Sequence, residues 1–163
     1  METHVGELYE NPVTGERGVV RVPPRQSNGH LLVVDLYVRP GGAVAGEHVH
    51  PAATETFTVV RGELAVRHDG RELCAGPGTR LRVPPGVAHG FWNDGEQQAR
   101  VVVEVQPGER WLRRFHPPPL KRLLGRELPT VTPEPLPAEI AELIPGLAAR
   151  PRWPNTTTVA ARR

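Results

Sequence analysis

Residues 48–55 read HVHPAATE: two histidines one residue apart, then a carboxylate five positions beyond the second. Side chains along a β-strand repeat with period two, so His48 and His50 face one side with Cα atoms about 6.5–7 Å apart. Two imidazoles converging from that separation can both reach one ion at about 2.1 Å. Glu55 lies an odd number of residues further on and would face away on a continuous strand. Pro51, Ala52 and Ala53 break that strand, and the next segment, TETFTVV, places Glu55 on one face with Phe57 and Val59. A lone carboxylate on such a core-like face is costly, and a cation removes the cost. A fourth candidate, His89, follows the turn at Pro84, Pro85 and Gly86 in GTRLRVPPGVAHGFWN and opens a further strand.

These residues belong to two larger blocks. The pattern G-x5-HxH-x4-E-x6-G is met by Gly42, His48, His50, Glu55 and Gly62, and G-x5-PxG-x2-H-x3-N by Gly78, Pro84, Gly86, His89 and Asn93. Through these positions, over roughly residues 30–106, the chain resembles the cupin superfamily, in its small single-domain (monocupin) conserved-barrel form. The resemblance implies an all-β fold, a double-stranded β-helix or jelly roll of two antiparallel sheets. It also implies that His48, His50, Glu55 and His89 hold one divalent transition metal: manganese, iron, nickel, copper or zinc. Cupins with this ligand set include dioxygenases, oxidases, isomerases and enzymes that modify polyketides or sugars. The leading expectation is a metal-dependent, dioxygenase-like oxidoreductase acting on a small organic molecule. The alternatives are a metal-dependent isomerase or cyclase and a non-catalytic ligand-binding cupin. Glu55 is the candidate catalytic residue, able to take a proton, and Phe57 and Phe91 are candidate walls of a substrate pocket or members of the core. Because cupins often dimerise through their N-terminal strands, the apolar stretch within residues 1–26 implies a homodimer.

The elements that must position the site are short strands. Alternating or β-branched runs between Gly and Pro predict strands at 17–22, 30–38, 54–60, 63–68, 79–83, 89–93 and 99–105. Hairpin turns are expected at Arg61-Gly62, Asp69-Gly70 and Asn93-Asp94-Gly95. After residue 116 the composition changes, with ten of the nineteen prolines and one helical segment, 137–144, between Pro137 and Pro145-Gly146. The expected division is therefore a barrel over 1–116 and a proline-rich extension over 117–163, which either wraps the barrel or reaches a partner subunit.

Composition narrows the chemistry. Ser27 is the only serine, lies in a loop-like stretch, and has no G-x-S-x-G elbow around it. Lys121 is the only lysine, so residues 1–120 contain no Schiff-base nucleophile. Cys74 is the only cysteine, which excludes an internal disulfide and suggests a small buried apolar residue. Net charge is +2, and the basic run Arg110–Arg126 has too little aromatic interleaving to suggest nucleic-acid binding. No apolar run approaches membrane-spanning length, and the N-terminus has no signal-like apolar region, so a soluble cytoplasmic protein without membrane partners is expected. His4, His30, His68 and His116 read as surface or turn histidines, Asp35 and Glu104 as outward residues on half-exposed strands, and Glu47 as facing away from His48.

Overall fold

A computed structural model describes residues 3–43, 46–108, 130–144 and 147. Ten strands run in chain order as β1 (Leu8–Asn11), β2 (Glu16–Val22), β3 (Leu32–Val38), β4 (His48–Val49), β5 (Thr54–Arg61), β6 (Leu64–His68), β7 (Arg71–Ala75), β8 (Arg80–Val83), β9 (Ala88–Trp92) and β10 (Ala99–Gln106). A short helix, α1 (Ala138–Glu142), follows Pro137 within the expected helical segment. The strands form two antiparallel sheets, ordered β1-β2-β3-β10-β5-β8 and β4-β9-β6-β7. From β3 to β10 the chain passes repeatedly between the sheets, so strands from distant parts of the sequence become neighbours. This is a jelly-roll barrel, as the motifs imply.

All seven predicted strands are present within two residues of their expected bounds. Three strands lie outside those seven: β4, the short strand that the His48 and His50 spacing supposes, and the edge strands β1 and β7, which were not expected. Their sequences, LYEN and RELCA, lack the strong apolar alternation that marks a strand with a buried face. Among the expected hairpins, Asp69-Gly70 joins the paired strands β6 and β7, with φ of 50° and 72° at the two central residues, as a primed turn requires. The segments around Arg61-Gly62 and Asn93-Asp94-Gly95 instead carry the chain from one sheet to the other. A turn signal reports that the chain reverses, but not which sheet receives the next strand. At Gly62, φ is 73° and a Cβ would stand 2.9 Å from the Ala99 Cα, so that crossing requires glycine.

The barrel interior is a single apolar cluster that includes Leu32, Val34, Phe57, Val59, Val66, Phe91, Val101 and Val103. The outer face of the six-stranded sheet is covered by the C-terminal segment. Ile140 and Ile144 pack on Leu31, Val33 and Val102. Glu134 then gathers the nearby basic side chains. Its carbonyl accepts hydrogen bonds from Arg100 Nη2 at 2.7 Å and from Arg21, while its carboxylate approaches Arg100 Nη1 at 3.1 Å and Arg61 Nη1 at 3.6 Å.

The environment expected for Asp35 and Glu104 is corrected. Both point away from the barrel interior, but their relative exposures are only 0% and 5%. Asp35 is paired with Arg21 at 2.6 Å and Arg100 at 3.5 Å, and Glu104 with Arg80 at 2.6 Å. Buried carboxylates are tolerated where such partners compensate them. Cys74 is also corrected. It is exposed, because Leu73 and Ala75 take the inward positions of β7. The basic run Arg110–Arg126 and His116 lie outside the described residues.

Candidate metal centre

His48 and His89 stand directly opposite each other in the β4·β9 ladder. Opposed residues share one face of a sheet, so both rings point into the barrel. His50 follows β4, and Glu55 enters from the other sheet on β5, between Val83 and Val105. The break at residues 51–53 thus carries the chain across the barrel, which is how a carboxylate at an odd spacing meets the two histidines. One donor atom from each of His48, His50, Glu55 and His89 lies within 4.8 Å of all the others. The structure brings together all four residues named from the sequence.

Hydrogen-bond geometry limits what can lie between them. His48 Nδ1 is 3.2 Å from the Gly46 carbonyl and His89 Nδ1 is 3.0 Å from that of Val87. A carbonyl can only accept, so each contact places a ring proton on Nδ1 and, in the neutral ring, leaves Nε2 as a bare acceptor. These Nε2 atoms meet other acceptors: His48 Nε2 is 3.2 Å from His50 Nε2, and His89 Nε2 is 2.9 Å from Glu55 Oε2. His50 Nε2 is also 3.0 Å from Glu55 Oε2. Such lone pairs are stable together only with a proton or a cation between them. Ligands about 2.1 Å from one ion at right angles stand about 3.0 Å apart, close to the three observed separations. The donor set therefore fits a divalent transition metal, and nitrogen and carboxylate donors are the types that first-row metals take.

Burial sets the charge states. Glu55, His50 and His89 are 4%, 3% and 1% exposed. Burial alone would raise the Glu55 pKa, but contacts with His50 and His89 outweigh it and hold the carboxyl below its ordinary value. Burial lowers the His48 pKa, which favours the neutral ring a metal requires. At His89 burial also acts downward, but Glu55 and the Val87 carbonyl prevail and the pKa is raised. His48 is half-buried beside the exposed Gly46 and Glu47, so the accessible side of the cluster lies there. On the inner side, Phe57 is 6.1 Å from the His89 ring and packs edge-to-face on Phe91 at 5.0 Å. Asn93, the last position of the second motif, ties down the chain beyond β9 by donating to the Val38 and Gln97 carbonyls at 2.9 and 2.7 Å.

Two polar residues on the inward face were not singled out. Glu16 lies on the inward side of β2 with Gly18 and Val20, its carboxylate accepting a 2.6 Å hydrogen bond from Thr14. His68, expected at the surface or in a turn, is half-buried at the inward end of β6, opposite His89. The signal for His68 was present, since Leu64 and Val66 precede it at period two.

Comparison with known proteins agrees with the geometry. A family model described as a cupin domain matches residues 35–105. Over 70 residues the chain is 36% identical to the polyketide synthase CurC of Streptomyces cyaneus, covering 43% of this chain and 45% of that protein. Over 84 residues it is 31% identical to the quercetin 2,3-dioxygenase of Bacillus subtilis, covering 52% of this chain and 24% of that enzyme. It thus matches less than half the length of each. The structure of a predicted oxalate decarboxylase from Thermotoga maritima superposes with a TM-score of 0.57 at 16% identity, covering 65% of this chain and 98% of that one, and it shares the fold. Residues 35–105 thus match the cupin domain in sequence, and the jelly roll they build is the fold shared with that solved structure.

Proposed function

We propose that the protein is a metal-dependent oxidoreductase of dioxygenase type, acting on a small, enolisable organic molecule at a centre of His48, His50, Glu55 and His89. The observation that supports this most is the four donor atoms within 4.8 Å, three of their residues almost fully buried. A divalent ion held there would keep a net positive charge and act as a Lewis acid toward a substrate oxygen. The chain's own residues do the rest. His48, His50 and His89 fix the donor geometry. Glu55, ionised and buried, is placed to accept a proton as the substrate becomes an enolate. Phe57 and Phe91 form an apolar floor that excludes water from that side. The relative named quercetin 2,3-dioxygenase supports an oxygen-using reaction on a flavonol-like molecule.

The relative named a polyketide synthase supports a second reading, in which the same centre polarises a carbonyl for cyclisation or isomerisation without oxygen. Oxygen-electrode assays of metal-loaded protein with flavonols, catechols and β-diketones separate the two. Substrate-dependent oxygen uptake, abolished in Glu55→Gln, is expected. Conversion of substrate without oxygen uptake would replace the first reading with the second. We also propose a homodimer, on the family resemblance of the N-terminal strands. Light scattering at twice the 17.9 kDa chain mass would support it, and a monomer at micromolar concentration would refute it.

A further inference from the structure

His68 occupies a position that its surroundings do not account for. It stands directly opposite His89 in the β6·β9 ladder, as His48 does in the β4·β9 ladder. Opposed residues in an antiparallel pair share a face, so His48, His89 and His68 form one row across the inner surface of the four-stranded sheet. The parity of β6 agrees, because Leu64 and Val66, at period two before His68, are 0% and 3% exposed. The adjacent row is apolar, with Phe91 opposite Val66 and Val66 opposite Leu73. The histidine row is therefore a polar strip above an apolar floor.

Two of its three members have work in the four-residue cluster. His68 does not: it is absent from the group whose donor atoms meet within 4.8 Å. Its Nε2 is nevertheless buried and has no hydrogen-bond partner among the described residues. Buried polar atoms are almost always paired, and an exception on an inward face points to a bond made by something else. The strand spacing places the His68 backbone about 4.8 Å to the side of His89.

We infer that His68 is a specificity-determining residue, whose Nε2 hydrogen-bonds a second oxygen of a substrate whose enolic oxygen faces the His48, His50, Glu55 and His89 cluster. This rests on the proposed reading of that cluster and narrows its substrate class. The favoured molecule is poly-oxygenated, with a hydroxyl or carbonyl roughly one strand spacing, about 5 Å, from the enol oxygen. An imidazole nitrogen can donate or accept according to tautomer, so either group suits it. An aliphatic diketone with a single oxygen pair leaves His68 unpaired and binds more weakly.

The test uses the full chain loaded with cobalt(II), without oxygen, and two probes. 3-Hydroxyflavone carries the keto-enol and the ring ether oxygen alone, whereas quercetin adds hydroxyls on the outer rings. Affinities are read from the absorption shift of each flavonol, and metal content by elemental analysis. Wild-type protein is expected to prefer quercetin by roughly tenfold, the worth of one neutral hydrogen bond. His68→Leu should erase that preference while leaving 3-hydroxyflavone affinity and metal content unchanged, and His68→Gln should keep part of it. A preference that survives His68→Leu, or a loss of cobalt in that variant, overturns the assignment. So does a cobalt-loaded wild-type chain that binds both probes equally or binds neither. A wild-type chain that takes up no cobalt instead refutes the reading of the cluster, and this inference with it.

Discussion

Replacing Arg100 tests how the C-terminal segment is held. Its side chain is 2% exposed, and its guanidinium serves the Glu134 and Pro135 carbonyls at 2.7 and 3.1 Å and the carboxylates of Glu134 and Asp35 at 3.1 and 3.5 Å. Truncation to alanine leaves the fully buried Asp35 with Arg21 alone. Breaking a buried pair costs about 3–5 kcal/mol. Because Arg21 remains at 2.6 Å, the lower end, about 3 kcal/mol, applies. For a chain of this length that corresponds to a fall in melting temperature of about 6–12 °C, read by circular dichroism. The double variant Arg100→Met, Asp35→Leu removes both charges but leaves the Arg21 guanidinium with the Glu134 carbonyl alone, so only part of the loss should be recovered. If Arg100→Ala melts within about 2 °C of wild type, well below the shift expected for a broken buried pair, the segment does not shield this network in solution and the burial argument fails.

Other expectations follow from the interior. Burial raises the Glu16 pKa; the Thr14 hydroxyl acts against this and Glu55 adds to it. A carboxyl whose folded pKa lies above its unfolded value loses stability as pH rises between the two. Glu16→Gln should therefore stabilise the metal-free protein at pH 7 but not below about pH 4.5, near the ordinary glutamate pKa; equal melting shifts at both pH values would refute this. Phe57→Ala opens a cavity beneath the cluster beside Phe91 and should cost about 3–5 kcal/mol in urea unfolding. A change below about 1 kcal/mol would show that Phe57 is not closely packed.

The sequence carried the site more fully than the frame around it. The four residues that cluster were legible because two motif blocks set their types and spacings, and the break after His50 announced the change of strand for Glu55. Central strands were legible because burial favours runs rich in β-branched and apolar residues, as in β5 and β10. The edge strands β1 and β7 carry little of that signal. Asp35 and Glu104 read as solvent-facing because the arginines that pair with them, Arg21 and Arg100 for the first and Arg80 for the second, stand on other strands, which no local pattern reveals. His68 was missed for a different reason: its meaning depends on the β6·β9 register, a pairing between segments 21 residues apart.

Function at this centre depends on the imidazoles of His48, His50 and His89 meeting the Glu55 carboxylate around one ion. Elemental analysis of protein purified without added metal tests this most directly, with circular dichroism to confirm that each variant is folded. One divalent transition-metal ion per chain is predicted for wild type and for His68→Leu, with most of it lost in folded His50→Ala and His89→Ala. Equal metal content in all four proteins, or none in wild type even after reconstitution, would contradict it.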